Sequence, residues 1–225
     1  RVRWFFGTGA LQFEPRPWRD DVAWYAFAVP PGTTALLLPT QGPTRVWVNG
    51  VEHETEMGRL SLDAPESAVS TVVVRTELLD GYNRGAAWEA PIPLTVQEGR
   101  VDAGDWRDIG LDSFSGIAEY RRTIEVPDFD PEDRVVLDLG DVAVTASVTV
   151  NGDDVGSLFA EPFEIDVTEA VDPGENEVVV RVANTIANHF ETETPTRYVY
   201  EGQTASGMRG PVELRVEKGV EIRTD

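Results

Sequence analysis

The sequence of 225 residues contains no cysteine, so disulfide bonds and thiolate chemistry are excluded. Histidine occurs only at His53 and His189, which cannot supply the ligand spacing of a His/Cys metal site. Lysine occurs once, at Lys218, whereas 40 residues are acidic and the formal net charge is −21. Because a surface this negative repels nucleic acid and anionic membranes, we expect neither as a partner.

Long hydrophobic runs and catalytic motifs are also missing. No apolar stretch approaches the roughly 20 residues that a membrane-spanning helix requires. The sequence has no Gly-x-Ser-x-Gly motif and no phosphate-binding loop, and its 40 carboxylates offer no identifiable pair for glycoside hydrolysis. We therefore expect the segment itself not to be catalytic. Its opening, Arg1-Val2-Arg3-Trp4, has no Met and no signal-like pattern, which suggests a piece of a longer protein. A secreted or cell-surface location is slightly favoured.

One phrase occurs twice: Val-x-Val-Asn-Gly stands at residues 46–50 and again at residues 148–152. Around each copy an aromatic-led strand and a hydrophobic run come first. The sequence Val-Val-Val-Arg follows later, at residues 72–75 and 178–181, and then a strand led by proline. The offset between the copies increases along the chain, as loop insertions in the second copy would produce. The repeat predicts two related units.

The two predicted units are residues 1–99 and residues 100–225, and both are rich in β-strand patterns. Apolar and polar residues alternate through many short segments, which Pro, Gly and Asp clusters separate. Asn-Gly is the preferred two-residue turn of a β-hairpin. No segment has the pattern of a long amphipathic helix, and residues 168–171 could form one helical turn at most. The class is therefore all-β, a sandwich or a barrel.

The second unit carries a series of further motifs in a fixed order. They are Asp105-Trp106, Phe114-Ser115-Gly116, Tyr120-Arg121-Arg122, Phe163-Glu164-Ile165-Asp166-Val167-Thr168, Gly174-Glu175-Asn176 and Ser206-Gly207-Met208-Arg209-Gly210-Pro211. With them the unit resembles the sugar-binding jelly-roll domains of family 2 glycoside hydrolases, and equally the related C-terminal domains of large α-L-rhamnosidase-type hydrolases. The resemblance covers about residues 104–218, and the first unit is a degenerate copy.

The resemblance implies two tandem galactose-binding-like jelly-roll β-sandwiches, in the non-catalytic C-terminal part of a large glycoside hydrolase. The family places its catalytic acids on a separate barrel domain, which this chain lacks. Three functions stay open: a carbohydrate-binding accessory module, a structural module that packs on the barrel and shapes its pocket, and a surface adhesion or protein-interaction module. The expected partners are a carbohydrate and the catalytic domain of the same polypeptide.

The loop at residues 184–209 is the best candidate for a ligand site, because a long loop rich in polar and aromatic residues is usually functional. The candidate ligand-binding residues are Asn188, His189, Arg197, Tyr198, Tyr200, Glu201, Gln203 and Arg209. By the resemblance, the stretch before Ser206-Gly207 can reach the catalytic pocket and supply an acidic residue, and Glu201 stands there. The alternative is a loop that packs over the edge of the sandwich.

Aromatic faces and acidic turns offer further candidates. Sugar rings need exposed aromatic faces, and the sequence has six tryptophans. Trp24 and Trp47 are expected in the core or at a domain interface and Trp106 in packing, which leaves as freer candidates Trp4, Trp18 and Trp88. No cofactor is expected apart from a possible structural calcium ion at residues 128–133 or 172–175. Neither segment fits an EF-hand, and ordinary solvated turns are the alternative.

Overall fold

The computed structural model describes residues 2–8, 22–63, 65–79, 88, 90, 92–193, 199 and 202–219. The predicted all-β class is confirmed. The strands of the first half are β1 (Val2–Thr8), β2 (Val22–Val29), β3 (Thr33–Leu37), β4 (Thr44–Val48), β5 (Val51–His53), β6 (Arg59–Ser61), β7 (Ser70–Glu77) and β8 (Leu94–Val96). Those of the second half are β9 (Ser115–Val126), β10 (Arg134–Asp138), β11 (Asp141–Ala143), β12 (Thr145–Val150), β13 (Asp153–Leu158), β14 (Glu164–Asp166), β15 (Gly174–Ala183), β16 (Gly207–Gly210) and β17 (Glu213–Glu217).

Helical structure is sparse in the described part of the chain. One α-helix, α1 (Ala187–Glu193), lies in the long loop after β15, and two 3-10 turns span Trp106–Ile109 and Thr168–Ala170. The second of these turns confirms the single helical turn predicted near residue 168. No helix among the described residues is long and apolar enough to cross a membrane.

In the first half, two antiparallel sheets with the orders β2-β7-β4-β5 and β6-β3-β8 enclose one core. Alternation along the strands decides which side chains enter it. Val72 and Val74 of β7 are fully buried, and the residues between and beside them face the other side of the sheet. Leu36 and Leu60 close the core from the opposite sheet. Burial of an aliphatic side chain contributes about 1.5–3 kcal/mol, which holds the sheets together.

The second half repeats this arrangement. Its sheets have the orders β9-β15-β12-β13 and β14-β10-β17, and a separate pair, β11-β16, lies beside them. The central pairs correspond as well, because Val48 pairs with Val72 in the first half and Val150 pairs with Val178 in the second. The duplication read from the sequence is therefore visible as the same strand order in both halves.

The Asn-Gly hairpins form as predicted. Asn49-Gly50 connects β4 to β5 and Asn151-Gly152 connects β12 to β13. All four residues have positive φ, at 49° and 84° in the first turn and 52° and 93° in the second. Asn and Gly tolerate this left-handed conformation better than other residues, which is why the pair marks the turn.

Strand β1 also departs from the order of the repeat. Although it lies at the start of the chain, its backbone pairs with β9 of the second half, from Val2 opposite Tyr120 to Thr8 opposite Ser115. Most of the buried hydrophobic side chains of the described residues fall into two clusters, one up to Ile92 and one from Trp106 onward. The division into two tandem domains at residue 99 stays a prediction.

Candidate functional site

Helix α1 lies near the start of the predicted loop, and hydrogen bonds of neighbouring residues stabilise its first turn. The Thr185 hydroxyl accepts a hydrogen bond from the backbone N–H of Ala187 at 3.1 Å, as a helix N-cap does. The N–H of Phe190 then donates to the carbonyl of Ile186 at 3.1 Å and closes the first turn. The helix places Ile186 and Phe190 at the surface, with exposed fractions of 54% and 42%.

A buried polar cluster fixes α1 to the second half. The side-chain amide of Asn184 accepts from Gly116 N at 2.8 Å and donates to the carbonyl of Phe114 at 2.8 Å. The amide of Asn188 donates to the carbonyls of Asp112 (3.1 Å) and Thr204 (2.8 Å). Hydrogen bonds with backbone groups satisfy these amides and offset the cost of their desolvation, so the cluster orders the loop.

The Ser-Gly motif completes the cluster from the other end of the loop. Asn184 Nδ2 donates to Ser206 Oγ at 2.8 Å, and Ser206 is fully buried. Gly207 has a φ of 97°, and a Cβ there would lie 2.7 Å from both the Gly104 carbonyl oxygen and the Trp106 ring. The motif is therefore explained by a left-handed backbone and by the close approach of Trp106. That tryptophan is only 1% exposed, in agreement with the predicted packing role.

A surface cavity of about 520 Å³ lies beside α1. Residues from three parts of the chain line it, including Val144 after β11, Ile186 and Phe190 of the α1 region, and Gln203 and Arg209 near β16. The apolar side chains are exposed at the rim, with Val144 at 39%. The cavity therefore combines apolar walls with polar groups, as small-ligand sites do.

An ion pair sits at the polar side of the cavity. Arg209 Nη2 lies 2.8 Å from Asp141 Oδ1 and 2.7 Å from Asp141 Oδ2. Both side chains remain partly exposed, at 37% and 46%. A guanidinium has five N–H donors, so Arg209 is oriented by Asp141 and still has donors for a further acceptor.

The predicted site residues separate into three groups. Gln203 and Arg209 line the cavity. Asn188 is fully buried and its two amide hydrogens are given to backbone carbonyls, so its place is in the structural cluster. His189 is half-buried, with its ring centroid 5.9 Å from that of Phe190 and its backbone N–H donating to Ser115 Oγ. The other four lie outside the described residues: Arg197, Tyr198, Tyr200 and Glu201.

Sequence analysis missed the apolar wall of the cavity. Val144 and Ile186 are the missed residues; Val144 lies between β11 and β12, and Ile186 lies just before α1. An aliphatic residue among Asn, Thr and Ala in a loop is the signal that could have revealed Ile186. Val144 had no such signal, because it belongs to an apolar run that reads as strand.

Trp24 and Trp47, expected in the core or at a domain interface, lie outside the core cluster of the first half. Trp24 and Trp47 are half-buried on the outer face of the β2-β7-β4-β5 sheet, and their rings stack with centroids 5.5 Å apart. Their neighbours Ala23, Tyr25, Val46 and Val48 point inward instead. Of the three freer candidates, Trp88 packs edge-to-face on Tyr25 with centroids 5.1 Å apart. The side chains of Trp4 and Trp18 are outside the described part.

The acidic turns suggested for calcium make other contacts in the structure, and a calcium ion there stays a prediction. The Asp133 carboxylate is 4% exposed and accepts from the backbone of Asp130 and from the ammonium of Lys218, the single lysine. Near residue 174, the side-chain amide of Asn176 donates hydrogen bonds to the backbone carbonyls of Asp172 and Gly174. Among the described residues no group of three or more His, Asp or Glu side chains could hold a metal ion.

Asp166 and Glu119 are among the carboxylates whose pKa values structural contacts lower. The Thr168 hydroxyl and Arg134 hold the pKa of Asp166 at about 2, with the backbone N–H of Thr168 adding a third hydrogen bond. Burial raises the pKa of Glu119, but the bonds from Arg181 and Arg121 lower it more, so it ends below the ordinary value. Both groups stabilise the sheets, and neither lines the cavity.

Comparison with known proteins places the second half in a family. Residues 115–217 match the family model described as the glycosyl hydrolase 2 galactose-binding domain-like family. A protein of Formosa agariphila that is provisionally named a β-glucuronidase is 37% identical over 112 residues, which are 46% of this chain and 10% of that protein. The matched segment is thus similar to the galactose-binding-like domains of glycoside hydrolase family 2, and the stated resemblance is confirmed.

Two solved structures are also similar to this chain. A rhamnosidase from Novosphingobium sp. PP1Y is 21% identical, over 95% of this chain and 25% of that one, with a TM-score of 0.44. A β-glucuronidase from an uncultured Clostridium sp. is 36% identical, over 31% of this chain and 13% of that one, with a TM-score of 0.29. The chain thus spans a quarter or less of the length of these relatives.

Proposed function

We propose that this chain is a non-catalytic, carbohydrate-binding accessory region of a large glycoside hydrolase, and that the cavity beside α1 receives the sugar. The observation that carries the proposal is the composition of this cavity within a galactose-binding-like domain. Phe190 presents an exposed ring, and Gln203 and Arg209 present polar groups to the same space of about 520 Å³.

The chemistry of a sugar ring matches this cavity. A pyranose has a face of C–H bonds, which packs on an aromatic ring, and hydroxyl groups, which need donors and acceptors. Phe190 and Ile186 supply the apolar contact, and the guanidinium of Arg209 supplies donors in an orientation that Asp141 fixes. Because the structural cluster below α1 is fully hydrogen-bonded, the wall is preorganised and little ordering entropy is lost on binding.

A titration with matched variants tests this proposal. The full chain is screened against immobilised glycans, and the best oligosaccharide is used in isothermal titration. Phe190→Ala and Arg209→Ala should each weaken binding at least tenfold, which corresponds to about 1.4 kcal/mol. The control is Phe159→Ala, an aromatic residue that is 74% exposed and is not among the residues lining the cavity. Equal affinity of the two cavity variants and the wild type would reject the cavity as the site.

A second candidate function is a module that packs on the catalytic domain. Three exposed aliphatic or aromatic side chains, Val144, Ile186 and Phe190, surround one cavity. Clustered apolar exposure of this kind marks interaction surfaces as well as ligand sites. If the wild-type chain binds no glycan but forms a complex with the catalytic domain, and Ile186→Glu abolishes that complex, the packing function replaces sugar binding. An adhesion role would instead show as binding to a protein outside the parent chain.

A further inference from the structure

The outer face of the first sheet carries an aromatic pair that the core does not use. Trp24 on β2 and Trp47 on β4 flank β7, and their rings stack with an interplanar angle of 22°. We call the outer-face side chains of this sheet the tryptophan face, formed by Trp24, Trp47, Arg45, Glu52, Arg75 and Glu77. The face is open to solvent around the pair, since Ala26 and Thr71 are exposed.

The second half shows that the fold does not require tryptophan at these positions. Trp24 pairs with Arg75, the last residue of the first Val-Val-Val-Arg sequence. The corresponding Arg181 of the second copy pairs with Glu119. Two residues before Arg75 on the same strand, Val73 pairs with Trp47.

Trp47 also has a polar counterpart in the second copy. Val179 of the second copy corresponds to Val73 and pairs with Thr149. The same scaffold thus carries Glu119 and Thr149 where the first copy carries two indoles. The fold therefore does not require large aromatic side chains at these two positions, and an aromatic pair clustered on an outer face is typical of a binding surface.

The charges of the tryptophan face cancel. Arg45 Nε lies 2.6 Å from Glu52 Oε1, and Arg75 Nη1 lies 2.9 Å from Glu77 Oε1. On a chain with a net charge of −21, this is a locally neutral patch. The guanidinium carbon of Arg45 also lies 5.0 Å from the centre of the Trp47 ring, which fixes its donors beside the aromatic surface.

From this arrangement we propose that the tryptophan face is a second glycan-binding site, specific for neutral pyranose oligosaccharides. The C–H faces of the sugar rings lie against the two indoles, and their hydroxyls reach Arg45 and Glu52. A neutral ligand fits because every charge described on the face is already paired. Two indoles of roughly 150–250 Å² each also cover less than the about 800 Å² per partner of a stable protein interface, which favours a short glycan.

The experiment uses the full chain and isothermal titration with cellotetraose, xylotetraose and β-1,4-galactotetraose. Trigalacturonate is the charged comparison. Trp24→Ala and Trp47→Thr should weaken binding of the preferred neutral oligosaccharide at this site at least tenfold. Thr149→Ala, at the position that corresponds to Trp47, is the control and should leave the affinity unchanged. The second copy has a threonine, Thr149, at the corresponding position, so Trp47→Thr should remain folded.

The result also separates this site from the cavity beside α1. Phe190→Ala should leave binding at the tryptophan face intact, and Trp47→Thr should leave binding at the cavity intact. In two-dimensional NMR of the wild type, the neutral oligosaccharide should shift the indole N–H signals that disappear in the two tryptophan variants. The proposal is overturned if those signals stay fixed, if no neutral oligosaccharide binds, if the variants bind as the wild type does, or if trigalacturonate binds more tightly.

Discussion

Asn49 and Asn151 make the same two hydrogen bonds to the neighbouring strand. The backbone N–H of Asn49 donates to the Thr71 carbonyl at 2.9 Å, and its Oδ1 accepts from the N–H of Thr71 at 2.9 Å. Asn151 does the same with Glu177, at 2.8 and 3.0 Å. The two turns therefore lock their hairpins to the next strand in one way, which is the most local sign of the duplication.

The side-chain nitrogens of these asparagines differ, and the first prediction rests on that difference. Asn151 Nδ2 donates to the carbonyl of Ala170 (3.1 Å) and to Asn176 Oδ1 (2.8 Å), whereas Asn49 Nδ2 has one longer bond, 3.3 Å, to Ser70. Asn151→Ala should lower the free energy of unfolding by about 2–3 kcal/mol, and Asn49→Ala by roughly 1 kcal/mol. Urea unfolding measures both. Equal losses would show that the extra bonds of Asn151 contribute nothing.

Two glycines with similar backbones provide the second prediction. Gly207 and Gly202 have φ values of 97° and 86°, but only Gly207 has close neighbours, whereas nothing lies within 4 Å of a Cβ at Gly202. Gly202→Ala should cost about 1 kcal/mol, from the left-handed backbone alone. Gly207→Ala adds a clash with the Trp106 ring and should cost at least about 2 kcal/mol more. Thermal unfolding of both variants separates strain from packing. Similar thermal midpoints for the two variants would mean that the Trp106 ring moves aside at little cost in free energy.

The lowered pKa of Asp166 predicts how stability depends on pH. Its folded pKa is about 2, against an ordinary 3.8, because Thr168 and Arg134 bind the charged form. The stabilisation is therefore complete above about pH 4 and is lost as pH falls towards 2. Asp166→Asn should be less stable than the wild type at neutral pH, and the difference should shrink across that window. Asp154→Asn, a change at an exposed strand residue, is the control. A constant difference down to pH 2 would contradict the linkage.

The fourth prediction concerns the buried cluster under α1. Asn188→Ala removes two buried N–H donors, so that the Asp112 carbonyl loses this hydrogen bond and the Thr204 carbonyl keeps only the one from the Ser206 hydroxyl; it should cost about 2–4 kcal/mol. Glu191→Ala, at an exposed position of the same helix, should change stability by less than about 0.5 kcal/mol. Chemical denaturation checks both variants. If Asn188→Ala abolished glycan binding without loss of stability, Asn188 would be a ligand contact instead.

The sequence predicted the elements that local patterns determine. The Asn-Gly turns and their flanking strands depend on conformational preferences and alternation within a few residues, so both hairpins are confirmed. The phase of alternation was less clear in β2, where aromatic residues face both ways. Tyr25 and Phe27 enter the core, and Trp24 faces outward. Which set of alternating side chains faces inward depends on the position of the opposite sheet. The residues of β2 alone do not contain that information.

Long-range pairing was beyond sequence reasoning. Strand β1 pairs with Ser115–Val126, more than a hundred residues away in the chain. No pattern within Val2–Thr8 identifies that partner strand. The cavity beside α1 was predicted only as a loop region, because its walls come from three separate segments. Polar content led to Gln203 and Arg209, but the apolar wall depends on which aliphatic side chains the fold leaves exposed.

The central claim is that this chain binds neutral sugar without hydrolysing it. Saturation-transfer difference NMR of the full chain with a neutral tetrasaccharide tests both parts in one sample. We expect transfer from the protein to the C–H protons of the sugar rings, in a tetrasaccharide spectrum that stays unchanged over the incubation. The absence of transfer to every tetrasaccharide tried would contradict sugar binding. The appearance of shorter sugars, abolished by replacing one carboxylate of this chain, would contradict the non-catalytic role.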